Sequence, residues 1–305
     1  MTKKHWFSIA AISLVFFAAY FVLRALPDVE CGFLHYTEIV NADGEIELCA
    51  TNHAGFLDLS RLKYPVEATL KTAEPLRTGQ STRVSLKLAT QGGMPMAPHE
   101  LAVTHTEKMH LMLIDNSLED YHHLHPEPDG IDGRYQFDFQ PMRPGDYQVF
   151  TEIVPVRSRR QAIAVSQLQV PGAPGELHFE RSTKSVVDGL HFELRSVPKT
   201  LKSGRDYRFE LSVRDASGAP APLEIVMGAK GHMVAFDAAR KGFAHMHPID
   251  TIAAARTAGL SLGADNSDSL HFMFNVPNPG WYRLFAQIQI GGEAVFGRFD
   301  LKVKD

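Results

Sequence analysis

HLMLIDNSLEDYHHLHP, His110 to Pro126, occurs a second time as HMVAFDAARKGFAHMHP, His232 to Pro248. Aligned without a gap, the copies put His110 on His232, Asp115 on Asp237, Tyr121 on Phe243, His123 on His245, His125 on His247 and Pro126 on Pro248. One supersecondary unit is used twice, so the fold is two of whatever carries this stretch. The match extends outward. FDFQPMRPGDYQVFTEI (Phe137–Ile153) aligns with FMFNVPNPGWYRLFAQI (Phe272–Ile288), RVSLKL (83–88) with RFELSV (208–213), and Leu76-Arg-Thr-Gly79 with Leu201-Lys-Ser-Gly204.

Around these phrases the chain is a series of short alternating runs rich in β-branched and aromatic residues: VEATLKT, STRVSLKLAT, ELAVTHT, MHLMLID, YHHLH, YQFDF, DYQVFTEIV and AVSQLQV. Turn signals such as Arg77-Thr-Gly79, Pro128-Asp-Gly130 and Arg143-Pro-Gly145 separate them. Short strands at such spacing predict an antiparallel sandwich or barrel. The expected organisation is a stub and signal anchor over 1–26, a Cys-containing juxtamembrane segment over 27–64, and β repeats over 65–170 and 176–305. Pro171-Gly-Ala-Pro-Gly175 reads as the linker, and the Ala, Ser and Gly-rich residues 251–269 as a loop inserted in the second repeat.

Within the first copy, MHLMLID reads as a strand, NSLED as a connection and YHHLHP as the returning strand. His123 and His125 are two apart and share a strand face. If the turn is centred between Ser117 and Leu118, His110 falls opposite His125, with Cβ atoms about 5 Å apart. His122 points the other way, and its counterpart is Ala244. Three imidazoles per copy would then converge, His110, His123 and His125 in one and His232, His245 and His247 in the other. This is a first shell suited to zinc or copper(II). Methionines are frequent nearby: Met94, Met96, Met109 and Met112 in the first repeat, Met227, Met233 and Met246 in the second. Thioether selects copper(I), so copper is the expected ion, with zinc as the other choice. His105 is a candidate fourth ligand, with Met227 in its place in the second repeat. Met94 and Met96 are further candidates, because their prolines argue against a core strand. Against this stands a plainer reading: histidines that bond turn carbonyls and mark the fold, in a non-enzymatic envelope interaction or scaffold protein.

Enzymatic activity is not expected. A tri-histidine hydrolytic zinc site needs a carboxylate base, and Glu119, Asp120 and Glu127 of the first copy are not retained in the second. No Gly-rich phosphate loop, Gly-x-Ser-x-Gly or His-Glu-x-x-His is present. A formal net charge of −4 offers no basic stripe, which excludes nucleic acid as the expected partner.

Ahead of the repeats, Lys3 and Lys4 precede an apolar run from Trp6 to Leu23, about the length that spans a bilayer. Cleavage after Ala19 or Ala25 would put Phe17 or Leu23 at the −3 position, so an uncleaved single-pass anchor is preferred to a cleaved signal. The lysines hold the N-terminus in the cytoplasm and put the bulk of the chain in the periplasm or cell exterior. There Cys31 and Cys49 most simply form a disulfide. With His35 and His53 they also compose a Cys2His2 set, whose spacing matches no common zinc motif.

The phrase H-[LM]-x-x-x-D-x5-[YF]-x-H-x-H-P, followed by P-G-x-Y-x-x-F, resembles a group of uncharacterised bacterial secreted or membrane-anchored proteins with His-rich immunoglobulin-like β-sandwich repeats. These are similar in style to periplasmic copper-handling domains. The resemblance covers about residues 66–304 and leaves out the cysteine segment. It implies tandem immunoglobulin-like sandwiches outside the cytoplasm, while the metal reading of the histidines makes envelope metal-handling proteins the expected partners. The copper-chaperone pattern proper is not matched residue by residue.

Overall fold

The computed structural model describes residues 2–25, 36–40, 44–50, 55–249 and 269–305. Helix α1 (Lys3–Arg24) has 22 residues and is long and apolar enough to cross a membrane. Its sequence is apolar on all sides, with no polar stripe to turn toward water. The expected disulfide and the Cys2His2 alternative lie outside the described residues, since Cys31 is not among them. Cys49 pairs in register with Thr37 in the hairpin of β1 (Tyr36–Val40) and β2 (Ile46–Ala50). Leu48 of β2 is buried with Ala102 and Val154, and its amide bonds Val103 of the first repeat. The end of the juxtamembrane segment is likewise part of the body. β3 (Leu57–Asp58) forms the edge of a second-repeat sheet, and Phe56 enters the second-repeat core.

The first repeat comprises β4 (Val66–Thr72), β5 (Thr82–Thr90), β6 (Met109–Ile114), β7 (Tyr121–Leu124), β8 (Glu127–Pro128), β9 (Arg134–Phe139), β10 (Gly145–Ile153) and β11 (Ala162–Val170). They form two separate sheets, ordered β4-β5-β9-β8 and β11-β10-β6-β7, hence a sandwich and not a closed barrel. The second repeat comprises β12 (Lys184–Val187), β13 (Leu190–Arg195), β14 (Leu201–Lys202), β15 (Tyr207–Arg214), β16 (His232–Asp237), β17 (Gly242–Met246), β18 (Ser269–Phe274), β19 (Gly280–Ile290) and β20 (Glu293–Lys304). Its sheets are β12-β13-β15-β18 and β14-β20-β19-β16-β17-β3. Hence β13-β15-β18 repeats β4-β5-β9, and β20-β19-β16-β17 repeats β11-β10-β6-β7. The protein is mainly β, and β14 against β20 is the one parallel pair among its described strand ladders. The loop expected at 251–269 lies outside the described residues apart from Ser269, which opens β18.

Strand alternation builds a core inside each sandwich and a third between them. Inward residues of the first sandwich, among them Val84, Leu86, Phe137, Tyr147 and Val149, close one core. Phe192, Phe209, Phe272, Tyr282 and Leu284 belong to the second. The outward residues of β6, β7 and β10 should then face water. Instead Met112, Ile114, Tyr121 and Phe150 pack on Val234, Phe236, Phe243 and Phe285 of the second repeat. The two hairpin sheets lie face to face, so every residue of β6 and of β17 is buried. Burying one such large side chain stabilises by about 1.5–3 kcal/mol, so this layer joins the sandwiches into one body. It also places both histidine hairpins in the same interface.

Candidate metal centre

An aspartate sets the register of each hairpin. Asp115 accepts backbone N–H bonds from Ser117 (3.0 Å), Glu119 (2.7 Å) and Asp120 (2.9 Å). Asp237 does the same for Ala239 (3.2 Å), Lys241 (2.7 Å) and Gly242 (3.2 Å). Leu118 and Arg240, at equivalent turn positions, both take positive φ (57° and 52°). The turns therefore have one geometry. Leu111 pairs with Leu124 and Met112 with His123, so the next position outward sets His110 against His125. Met233 against Met246 sets His232 against His247 in the same way. This is the register inferred from a turn centred between Ser117 and Leu118.

Three histidines of each copy come together as expected. One potential ligand nitrogen from each of His110, His123 and His125 forms a group whose members lie within 4.8 Å of one another, and His232, His245 and His247 form a second such group. Bonds near 2 Å to a shared ion need nitrogens within about 4 Å, so a ring at the wider spacing would have to close by a fraction of an ångström to share one. The rings are almost wholly enclosed: His110 is 1% exposed, His232 0% and His245 2%. His125 is half-buried and marks the more accessible edge.

The outer nitrogens orient these rings. His110 donates Nε2–H to the Thr104 carbonyl at 2.9 Å, and His232 donates Nε2–H to Val226 at 2.9 Å. His245 Nδ1 lies 3.0 Å from Glu152 Oε2, and His123 Nδ1 lies 2.9 Å from Gln287 Oε1. Each of these last two bonds crosses from one repeat to the other. Partners of this kind fix the tautomer and turn the opposite nitrogen's lone pair inward. In the second triad His232 Nδ1, His245 Nε2 and His247 Nε2 are all buried without a hydrogen-bond partner. In the first, His125 Nε2 is buried and unpartnered, and His110 Nδ1 faces His123 Nε2 at 3.2 Å.

Burial decides the electrostatics. It lowers His110 to about 4, helped by the neighbouring His245 and opposed by Glu152. It lowers His125 to about 3, with His110 and His245 adding to the effect, and His232 to about 3, with His245 adding. His105, His123 and His247 are held well below the usual imidazole range, first by burial and then by the other rings. For Glu152, burial pushes upward, but the bonds and charges of His245, His110 and Gln161 outweigh it and hold the carboxylate ionised. At neutral pH these shifted rings are neutral and present lone pairs, the form in which histidine ligates a metal.

The additional candidates fare differently. His105 stacks flat on His247 of the other repeat, with centroids 3.6 Å apart, and walls the cluster without joining either triad. Met227, its counterpart, is buried and shares its positive φ (49° against 51°), so both serve the tight turns whose carbonyls hold His232 and His110. Met94 and Met96 do not belong to the site. Met94 is 70% exposed on a turn, and Met96 lies in the core of the first sandwich. The prolines of that segment do not keep it out of the core, because Met96 N bonds Leu88 O at 3.1 Å and the segment lines the sheet edge. Met109, Met112, Met233 and Met246 are core residues as well. His122 faces the first core, against Phe139 and 3.0 Å from Asp120. Glu152 and Gln287 were missed by the sequence reading. Parity along Phe150-Thr-Glu152 puts Glu152 on the histidine face, and the gapless alignment makes Gln287 its equivalent.

Two antiparallel sandwiches joined through a pair of tri-histidine groups define a repeat-built β protein whose histidines can hold metal ions. The chain belongs to the family described as Domain of unknown function (DUF8832), which matches it twice, over residues 63–169 and 184–305. No curated protein matches it. A crystal structure of Salmonella alpha-2-macroglobulin reacted with methylamine is similar to it over 91% of this chain and 17% of that one, at 13% identity and a TM-score of 0.26. The chain thus spans less than a fifth of that protein's length.

Proposed function

We propose that this protein is a membrane-anchored, non-enzymatic metal-binding protein of the periplasm or cell exterior, holding one ion in each triad for storage or tolerance. One observation carries the reading. In the second triad three buried imidazole nitrogens lack any hydrogen-bond partner, and the other nitrogens of His232 and His245 are committed to Val226 and Glu152. Leaving one buried polar group unpaired costs about 1–3 kcal/mol, and the free nitrogens of His232 and His245, with His247 Nε2, form a donor set that suits a cation. With the methionines outside the triads, the argument for copper(I) falls away and the donors are imidazoles. Copper(II) is then favoured over zinc by the general affinity order for nitrogen sites. Burial of both triads suits retention better than rapid delivery. Glu152 is engaged with His245 and Gln161, an orienting role that does not suit a general base. Envelope metal-handling proteins are the partners such a role requires.

The test is titration of the detergent-solubilised chain with copper(II) and zinc(II). We expect two ions per chain, loss of both with His125→Ala plus His247→Ala, and a thermal midpoint that rises on loading and falls on chelation. Absence of binding tighter than about micromolar for either ion, a free energy near −8 kcal/mol, would leave the scaffold reading.

A further inference from the structure

We infer that the two triads are unequal, and that the second-repeat triad takes its ion first because Glu152 supports it from the other repeat. The inference rests on the metal reading above. The hydrogen-bond partners of the triads correspond position by position, although His105 stacks on His247 and His125 is more exposed than His247. Thr104 and Val226 are equivalent carbonyls, each 2.9 Å from the Nε2 of its histidine. Glu152 and Gln287 are equivalent positions on β10 and β19, opposite His110 and His232 on the neighbouring strands. Each of the two reaches across the interface to the middle histidine of the other repeat, Glu152 to His245 at 3.0 Å and Gln287 to His123 at 2.9 Å. One reaches with a carboxylate, the other with a neutral amide.

That difference amounts to one negative charge behind one of two matched ligand sets. A carboxylate bonded to an imidazole strengthens its donation and offsets the charge of the bound ion, and such partners are typically worth about 10–100-fold in metal affinity. Glu152 is 6% exposed, so little water damps its effect. Gln161 donates to its other oxygen and holds the carboxylate in place. The sites are also neighbours, with the His123 and His245 ring centroids 5.1 Å apart and those of His110 and His245 5.5 Å apart. A second divalent ion enters against the charge of the first, which widens the gap set by Glu152.

The experiment is calorimetric titration of the full chain in detergent with copper(II), with circular dichroism to verify folding of each variant. The wild type should show two steps separated by about 10–100-fold. His247→Ala should remove the tighter step and His125→Ala the weaker. Glu152→Gln should bring the steps together, and Gln287→Glu should tighten the weaker one. Two equal steps in the wild type, or a tight step that survives His247→Ala, would overturn the inference while leaving the metal reading in place. No binding at all would remove both. If Glu152→Gln does not fold, the histidine variants still assign the order.

Discussion

His110 shows what burial does to a single residue here. Its ring is enclosed, one nitrogen is committed to a carbonyl, and burial holds it neutral down to about pH 4. The same holds for His125 and His232 down to about pH 3. In the unfolded chain these side chains titrate near 6.5. Between 6.5 and the folded values the unfolded state binds protons that the folded state refuses, so stability falls as pH drops through that window. Above 6.5 neither state is protonated and the effect vanishes. The unfolding free energy of the metal-free protein, from denaturant titration, should therefore decline from about pH 6.5 to pH 4, by up to about 1.4 kcal/mol per pH unit for each such histidine. A profile flat across that range would mean that the rings are open to solvent.

At the scale of elements, the hairpin works because its turn, strands and edge agree. The Asp115 and Asp237 turns leave no freedom in register, and a slip of one residue would turn every histidine to the opposite face. The second hairpin has a further constraint at its edge, where β3 lies beside Gly242. A Cβ on Gly242 would sit 1.7 Å from the Leu57 carbonyl oxygen, a backbone atom with no room to give. Gly242→Ala should displace β3 and cost about 1–3 kcal/mol by thermal or chemical denaturation, the range for overpacking. A wild-type midpoint would show that β3 is not docked there. The equivalent residue in the first repeat is Asp120, which no edge strand covers among the described residues and which instead accepts a bond from the Met142 amide at 2.7 Å. The repeats thus diverge at this edge, where their neighbours differ, and keep the aspartate turn that sets the register of their histidines.

Across the whole molecule, apolar packing and the cross-repeat histidine bonds are joined at the interface between sandwiches by a buried cation, Arg283. Arg283 is 1% exposed. Its guanidinium pairs with Asp300 through two 2.7 Å bonds, reaches Glu119 at 2.8 Å, and bonds the Leu118 carbonyl at 3.1 Å in the first hairpin's turn. It thereby ties the second-repeat sheet to the turn that sets the first triad. Arg283→Ala leaves Asp300 buried without its partner, a change that costs about 3–5 kcal/mol. The expected outcome is a large drop in thermal midpoint together with weakened ion binding in the first triad. A loss of less than about 1 kcal/mol in unfolding free energy would place Arg283 outside the interface.

Much of the site was legible in the sequence. The gapless repeat identified one hairpin used twice, the aspartate and its spacing located the turn, and strand parity chose three of the four first-copy histidines while rejecting His122. These are local properties, carried by a period of two and a short turn. Proximity in sequence misled for Met94 and Met96, because nearness to the motif says nothing about which way a segment folds back. The meeting of the hairpins was not legible. Parity says that Met112, Tyr121, Phe150 and Glu152 leave the first core, but not what they then meet. Only the docking of two distant sheets decides that, through the fit of apolar surfaces drawn from β6, β7 and β10 on one side and β16, β17 and β19 on the other. That docking turns two surface hairpins into one buried centre and hands each repeat's middle histidine a partner from the other.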